Sequence, residues 1–430
     1  MNIGRLLYLW FVKNFLMSLL LLGLVSLAYS QCIDGTSIAS IELEGLEYTK
    51  PHVVWRELLH KAGDAFSQKT FETEKLRLQD LDLFTEVSVT CEPAESQNSS
   101  KVTYHLKEIF RWIPSPDSKT TDRDGLMLGL ALANLNILGE DIRAEAHYRT
   151  AVDPFFEKNE YAFYANSPYL FGIPLAWNID LIRTDSWDDI RGFRDACWLV
   201  SLDVSWSLLS HFSLLGKVVY RYLEDGPGVL PEFGLGFAVD FRDSELDSRK
   251  GIYFESALTH VGVGGTRGEN YVEFLEDARA YYTLGRFVTG ASALVRLRPG
   301  EVKRYDYFYH GGTNSFRGLN KPDAQHLGVH EMLLTLEERF ILLERRSASL
   351  CGVNFFYGIQ LVAGLDGSVL WDKGAPGWKN YEGAVYGGIH IVLPALDRIR
   401  LEIGYSPDKG EPKFSWGFTG KTTTQRWRGR

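Results

Sequence analysis

Apolar and polar residues alternate again and again from Gly125 to about Gly420, and a period of two leaves few folds open. Leu175, Trp177, Ile179 and Leu181 alternate with Ala176, Asn178 and Asp180; Leu202, Val204, Trp206 and Leu208 alternate with Ser201, Asp203, Ser205 and Ser207. In Arg398 to Tyr405, Ile399, Leu401, Ile403 and Tyr405 face one way, and Arg398, Arg400 and Glu402 the other. Strands with one apolar and one polar face build either a soluble sandwich or a membrane barrel, with lipid outside and a wet lumen inside. Turn signals such as Gly139-Glu140, Asp225-Gly226-Pro227, Pro299-Gly300 and Pro407-Asp408 divide the region into about sixteen strands of ~9 to 16 residues, an even number. Strands starting near Leu126, Ile142, Tyr161 and Leu175 come first, and those near Val385, Ile399 and Phe414 last.

The rest of the chain favours the barrel. Residues 1–30 place Arg5 and Lys13 ahead of an apolar run from Phe15 to Ala28, followed by Ala28-Tyr29-Ser30. This is the layout of a secretory signal peptide cut after Ser30; a single N-terminal anchor is the alternative. Beyond residue 30 no run of ~18 apolar residues recurs, so a membrane-embedded mature chain has only strands to span with. The chain holds 25 Phe, 21 Tyr and 11 Trp at a mean hydropathy of -0.14, so its aromatics are dispersed among polar residues as alternating strands require. A net charge of -9 and a pI near 5.7 argue against a nucleic-acid partner.

Residues 37–108 follow a different pattern, β-α-α-β-β. Ile38, Ile41 and Leu43 open a strand, and Pro51 starts a helix with Val53, Val54 and Leu58 that Gly63 closes. A second helix, about Thr70 to Leu81, is expected to turn Leu76 and Leu78 to the core. Phe84–Thr90 and Val102–Leu106 complete the unit as strands. Near the other end, Tyr309–Asn320 reads Y-H-G-G-T-N-S-F-R-G-L-N, a glycine-rich loop around the single arginine Arg317.

The first unit resembles a POTRA domain, the periplasmic module that precedes barrels of the BamA/TamA (bacterial surface antigen) outer-membrane family. The residues that carry this are Ile41–Thr49 (I-E-L-E-G-L-E-Y-T), Trp55–Leu58, Gly63-Asp64 and Leu83–Val89 (L-F-T-E-V-S-V). Gly129–Gly139 is similar to the family's opening strand, Asp240–Asp243 to its mid-barrel turn, Phe308–Leu319 to its sixth extracellular loop, and Leu336–Phe340 to the strand that follows. The resemblance implies a signal peptide over 1–30, a single α+β POTRA domain over 31–115 and an all-β transmembrane barrel over 116–430. It also implies an outer-membrane location and a non-enzymatic role: assembling or translocating unfolded outer-membrane or secreted client proteins, alongside the lipid bilayer and periplasmic accessory proteins. A passive channel and a two-partner secretion transporter are the alternatives. The transporter would be expected to carry a second POTRA domain and a plug helix.

Site residues follow from the same resemblance. The loop tip, Arg317-Gly318, would fold into the lumen and pair with wall acids. On one strand Met332, Leu334, Leu336, Phe340 and Leu342 share the lipid face, with Glu338 a misfit, so Glu337 points inward. On the next, Val353, Phe355, Tyr357, Ile359 and Leu361 face out, so Asn354, Gln360 and Asp366 face in. The family pattern Asp-x-Gly is not met at Asp366, which Gly367 follows directly, and Ala363 is the alternative equivalent. In the POTRA arrangement, Phe84, Val87 and Val89 lie on an edge strand that would capture clients by strand addition. Cys32 and Cys91 would lie close enough to bridge. Family barrels end on an aromatic residue, whereas here Phe414, Trp416 and Phe418 precede a basic tail, Lys421–Arg430.

No catalytic or cofactor motif is evident. His330-Glu331 lacks the second histidine of H-E-x-x-H, since position 334 is Leu, and neither C-x-x-C nor G-x-S-x-G occurs. Gly262–Gly265 reads as a loop, and no metal or cofactor is expected.

Overall fold

The computed structural model describes residues 32–420, apart from 95–98, 122–124, 153–157, 189, 245–246, 264–268, 312–315, 319–326, 351–352, 394–395 and 409. The expected signal peptide, the basic tail, Cys351 and part of the loop Tyr309–Asn320 lie outside the described residues.

The chain starts with β1 (Ser37–Glu44), α1 (Pro51–Trp55), α2 (Gln68–Asp80), β2 (Phe84–Pro93) and β3 (Ser99–Glu108), an α+β unit whose sheet order is β1-β3-β2. Ile38, Val53, Val54, Phe66, Phe71, Leu78, Phe84 and Tyr104 form its core. α1 is shorter than expected and ends at Trp55, though Leu58 is buried in the turn beyond it. Leu76 is exposed rather than inward: Phe71, Glu74 and Leu78 sit three and four residues apart on the buried face of α2, and Leu76 falls on the other side. Glu74, a carboxylate in that core, accepts hydrogen bonds from the Leu59 and His60 amides at 2.6 Å and from the Tyr104 hydroxyl at 2.5 Å. Burial, with that acceptor beside it, pushes the Tyr104 phenol well above its ordinary range.

The barrel consists of β4 (Trp112–Thr121), β5 (Gly125–Ile137), β6 (Ile142–Ala151), β7 (Lys158–Ser167), β8 (Leu175–Asp188), β9 (Phe193–Arg194), β10 (Cys197–Leu209), β11 (Phe212–Leu223) and β12 (Gly228–Asp240). It continues through β13 (Gly251–Val261), β14 (Asn270–Leu284), β15 (Phe287–Leu297), β16 (Gly300–Glu301), β17 (His330–Leu350), β18 (Val353–Trp371), β19 (Tyr381–Val392), β20 (Leu396–Tyr405) and β21 (Pro412–Gly420). Eighteen strands form one sheet; setting aside the two-residue β9 and β16 leaves sixteen long ones, and β10–β8 and β21–β4 pairings close the ring. The alternation behaves as expected. Leu202, Trp206, Leu334, Leu336 and Leu365 are exposed outward, whereas Asp180, Ser201, Glu402 and Arg339 are buried inward.

The first barrel strand is β4, so Gly129–Gly139 lies in and just after the second strand rather than opening the barrel. The sequence W-I-P-S-P-D-S-K-T-T has two prolines and little apolar alternation, so it lacks the signal by which a strand near Leu126 is expected to come first. The prolines are tolerated because of where they point. The Leu135 amide donates to the Arg111 carbonyl, which sets the phase of the β4–β5 ladder and turns the nitrogens of Pro114 and Pro116 away from β5, toward β21. The β21–β4 seam therefore lacks two donors on the β4 side.

The α+β unit docks on the turn end of the barrel. Lys50 and His52 pair with Glu140, Arg56 with Asp141, and Asn136 Nδ2 donates to Thr49 Oγ1 at 2.9 Å. Arg143 Nη2 reaches Asp82 Oδ2 at 3.2 Å, and Ser244 Oγ donates to Asp80 Oδ1 at 2.8 Å. The Arg56 guanidinium also lies 3.9 Å from the centroid of the Tyr169 ring.

Candidate functional site

The connection between β16 and β17 enters the lumen. Its tip is held by Arg317, only 3% exposed, which grips Asp366 on β18 with two prongs: Nε to Oδ2 and Nη2 to Oδ1, both 2.7 Å. Nη1 lies 3.3 Å from Glu337 Oε2 on β17 and 3.2 Å from Glu402 Oε1 on β20. The guanidinium stacks on the Tyr386 ring of β19, 3.3 Å from its centroid, and the Tyr386 hydroxyl donates to Glu337 Oε2 at 2.9 Å. One side chain thus touches four consecutive strands. The planar fork of arginine suits this, since it can satisfy a carboxylate with two parallel bonds while its face rests on an aromatic ring.

Backbone packing reinforces the seat. Phe316 is fully buried against Ala384. A Cβ on Gly318 would stand 2.5 Å from Ala384 Cβ, and one on Gly404 only 1.9 Å from the Arg317 carbonyl oxygen, so glycine at both positions lets the tip lie flat on the wall. Asp366 faces the lumen and Ala363 the outside, which makes Asp366 the acid that meets Arg317.

Sequence reasoning missed several partners. Inward parity had already put Glu402 on the lumen face, but nothing linked it to a loop far away in sequence. Nothing in the sequence marks Tyr386 as a partner, since aromatics in such strands mostly face lipid. Also missed was a second anchor in the other limb of the loop. There Asp306 is gripped by Arg221 of β11, with Nη2 2.7 Å from Oδ2, and accepts from the Tyr271 hydroxyl at 2.6 Å. Arg191 donates to the Tyr307 carbonyl at 2.9 and 2.8 Å. β11 lies seven long strands around the ring from β19, so the two anchors of the loop sit on well-separated parts of the wall. Beside Asp306, burial and its neighbour's charge push the Glu269 carboxyl up to about 7.

Glu337, His390 and Glu402 each bring a ligand atom within 4.8 Å of the others, a donor set that suits a divalent cation. The cation between its two carboxylates is the Arg317 guanidinium, which serves the same charge balance.

Cys32 and Cys91 are joined, with Cα atoms 4.9 Å apart, and Cys197 is buried. β2 has an open edge in the three-stranded sheet. Because the Ala94 amide donates to the Ser99 carbonyl, ladder alternation points the amides of Val87 and Val89 outward. The side chains tell a different story: Phe84 and Val87 are buried and Val89 is half-buried, so an added strand would meet their backbone together with Glu86 and Ser88. The edge also runs close to the far end of β17, where Ser347, helped by Lys107, holds the exposed Glu86 carboxyl below its ordinary range.

A closed sixteen-strand barrel with an arginine-seated loop and a docked α+β module defines a class of outer-membrane protein. Residues 140–418 match the Omp85 superfamily domain, and residues 36–109 match the POTRA model, described as the surface antigen variable number repeat. The chain belongs to the Omp85 superfamily and carries one POTRA domain. It is an outer-membrane barrel of the kind that assembles or translocates client proteins, with its POTRA domain in the periplasm. Among solved structures it is similar to CdiB from Escherichia coli, at 16% identity and a TM-score of 0.61, covering 90% of this chain and 75% of that one. CdiB from Acinetobacter baumannii gives 15% and 0.54, covering 89% and 73%. BamA from Haemophilus ducreyi lacking POTRA domains 1–3 gives 12% and 0.52, covering 88% and 83%. A comparison with curated proteins returned no sequence match.

Proposed function

We propose that this protein receives unfolded outer-membrane or secreted chains in the periplasm and admits them to, or across, the membrane through a barrel whose lumen is shut at rest. The observation that carries this reading is the Arg317 seat: a buried arginine on a long loop, gripped by three inward carboxylates, suits a plug that is held and released. A passive channel would have no use for so tightly held an obstruction. Capture would use the outward amides of Val87 and Val89, adding a client strand to the edge of β2. The role is mechanical rather than catalytic, and periplasmic accessory proteins are compatible with the exposed far side of the POTRA sheet.

Two experiments test the proposal together. Depletion followed by quantitative proteomics of the outer-membrane and secreted fractions should show a defined set of proteins lost. Loss from the membrane would indicate insertion, and loss from the medium translocation. A photo-crosslinker at Ser88, whose side chain is exposed on β2, should capture members of the same set, and Val89→Pro should abolish that capture while heat-modifiable barrel migration persists. If no protein is lost on depletion, the assembly reading fails.

A further inference from the structure

The β12–β13 connection, residues 241–250, is long for a turn at this end of the barrel, where β10–β11 and β14–β15 are joined by two residues each. It does not hug the rim. Asp247 is 3% exposed inside the lumen, where one oxygen, Oδ1, faces Arg339 Nη1 of β17 at 3.1 Å, Gln360 Nε2 of β18 at 3.0 Å and Arg398 Nη2 of β20 at 3.3 Å. Arg339 also donates to the Ser248 carbonyl. These strands are among those that hold Arg317, so two loops entering from opposite ends of the barrel are pinned to one stretch of wall by opposite charges.

The two pins share a strut. Arg339, 1% exposed, has Nε 3.5 Å from Glu337 Oε1, and the other oxygen of Glu337 faces Arg317 Nη1 at 3.3 Å. At its outer end the same connection is tied to the POTRA domain: Ser244 Oγ donates to Asp80 of α2 at 2.8 Å and accepts from the Asp247 amide at 3.2 Å. We propose that Asp247 is a second lumen pin, coupling the position of the POTRA domain to the seating of the Arg317 loop through Arg339 and Glu337. The physical reason is charge balance. Withdrawal of Asp247 leaves Arg339 and Arg398 facing each other with less negative charge, so Arg339 turns toward Glu337 and competes with Arg317 for it. A client that shifts the POTRA domain would pull on Ser244, draw Asp247 out and loosen the plug from below. This rests on the reading that Arg317 seats the loop.

The test uses the full chain in detergent and measures how fast an added protease cuts the 302–329 connection. Arg317→Ala alone should raise the rate, which tests the seat by itself. Asp247→Asn should raise it at least about fivefold, the lower end of usual coupling between sites. The Arg317→Ala/Asp247→Asn double variant should be cut no faster than Arg317→Ala. Ser244→Ala leaves every lumen charge in place and should give a smaller rise in the same direction; it carries the test if Asp247→Asn fails to fold. A faster Arg317→Ala with Asp247→Asn and Ser244→Ala unchanged, or effects that multiply in the double variant, would overturn the coupling and leave the seat standing. An unchanged Arg317→Ala would overturn both.

Discussion

Arg317→Ala is expected to cost the folded barrel about 3–5 kcal/mol, the usual penalty when one side of a buried charge pair is removed and the other is stranded. The structure indicates how that sum is distributed. Asp366, with a fully buried side chain, receives two bonds at 2.7 Å, each of the charge-assisted kind worth ~1.5–3 kcal/mol. Glu337 is 3.3 Å away with a side chain 17% exposed, so solvent screens its share. The stack on Tyr386 adds about 1–2 kcal/mol in a desolvated site. Arg317→Lys keeps the charge but loses the fork and most of the stack, so it should cost a substantial part of the alanine penalty. The assay is denaturant unfolding of the refolded barrel in detergent, run as double-mutant cycles with Asp366→Asn and with Glu337→Gln. Coupling should be strong, above about 1.5 kcal/mol, with Asp366 and weaker with Glu337. Coupling below about 0.5 kcal/mol with Asp366 would mean that the two side chains act independently, and the seat would be refuted.

Two further outcomes follow from other parts of the chain. The Cys32–Cys91 bridge spans 59 residues of sequence and should stabilise the POTRA domain by about 4 kcal/mol on the chain-entropy model. Reduction of the full chain should therefore make residues 32–109 the first segment digested, and intact-mass analysis without reductant should find both thiols oxidised. The second outcome concerns pH at the outer anchor. The Glu269 carboxyl has a folded value near 7, above its ordinary 4.5, so its contribution to stability is present in acid and is lost as pH rises from about 4.5 through about 7. Asp306 is shifted the other way: burial opposes its charge, but Arg221 beside it keeps the carboxyl well below its ordinary range, so it stays ionised across that window. Protease protection of the loop base should fall between pH 5 and pH 8, and Glu269→Gln should flatten the profile.

Much of this was legible in the sequence, for a physical reason. A period of two is imposed by the strand itself, so parity alone put Glu337, Asp366 and Gln360 on the lumen face, and the barrel closes on the expected number of long strands. Parity says which way a side chain points but not how high it stands on the wall, and pairing depends on height. That is why Glu402, correctly turned inward, went unassigned as a partner of Arg317. β4 escaped detection because its prolines face a seam and its pattern lacks an apolar face, a case in which tertiary position excuses a sequence that propensity would reject. Asp247 was invisible for a different reason. A polar residue in a connecting segment reads as solvated, and only the inward fold of that segment shows otherwise.

The two anchors of the long loop lead to a last prediction. A cavity of about 940 Å³ inside the barrel is lined by Arg317 and Arg339 and, on the periplasmic side, by Glu57, Arg77 and Asp80 of the POTRA domain. Above it the loop is fixed at Asp306 to β11 and at Arg317 to β17, β18 and β20. An obstruction held at two points across a mouth opens only when both let go, because the remaining anchor keeps the chain over the opening. In planar bilayers Arg317→Ala should therefore conduct only slightly more than the parent protein, and so should Arg221→Ala, which removes the charge that grips Asp306. The double variant should conduct far more than the sum of the two. If Arg317→Ala alone reaches the conductance of the double variant, the Asp306 anchor contributes nothing to closure and the loop has a single seat.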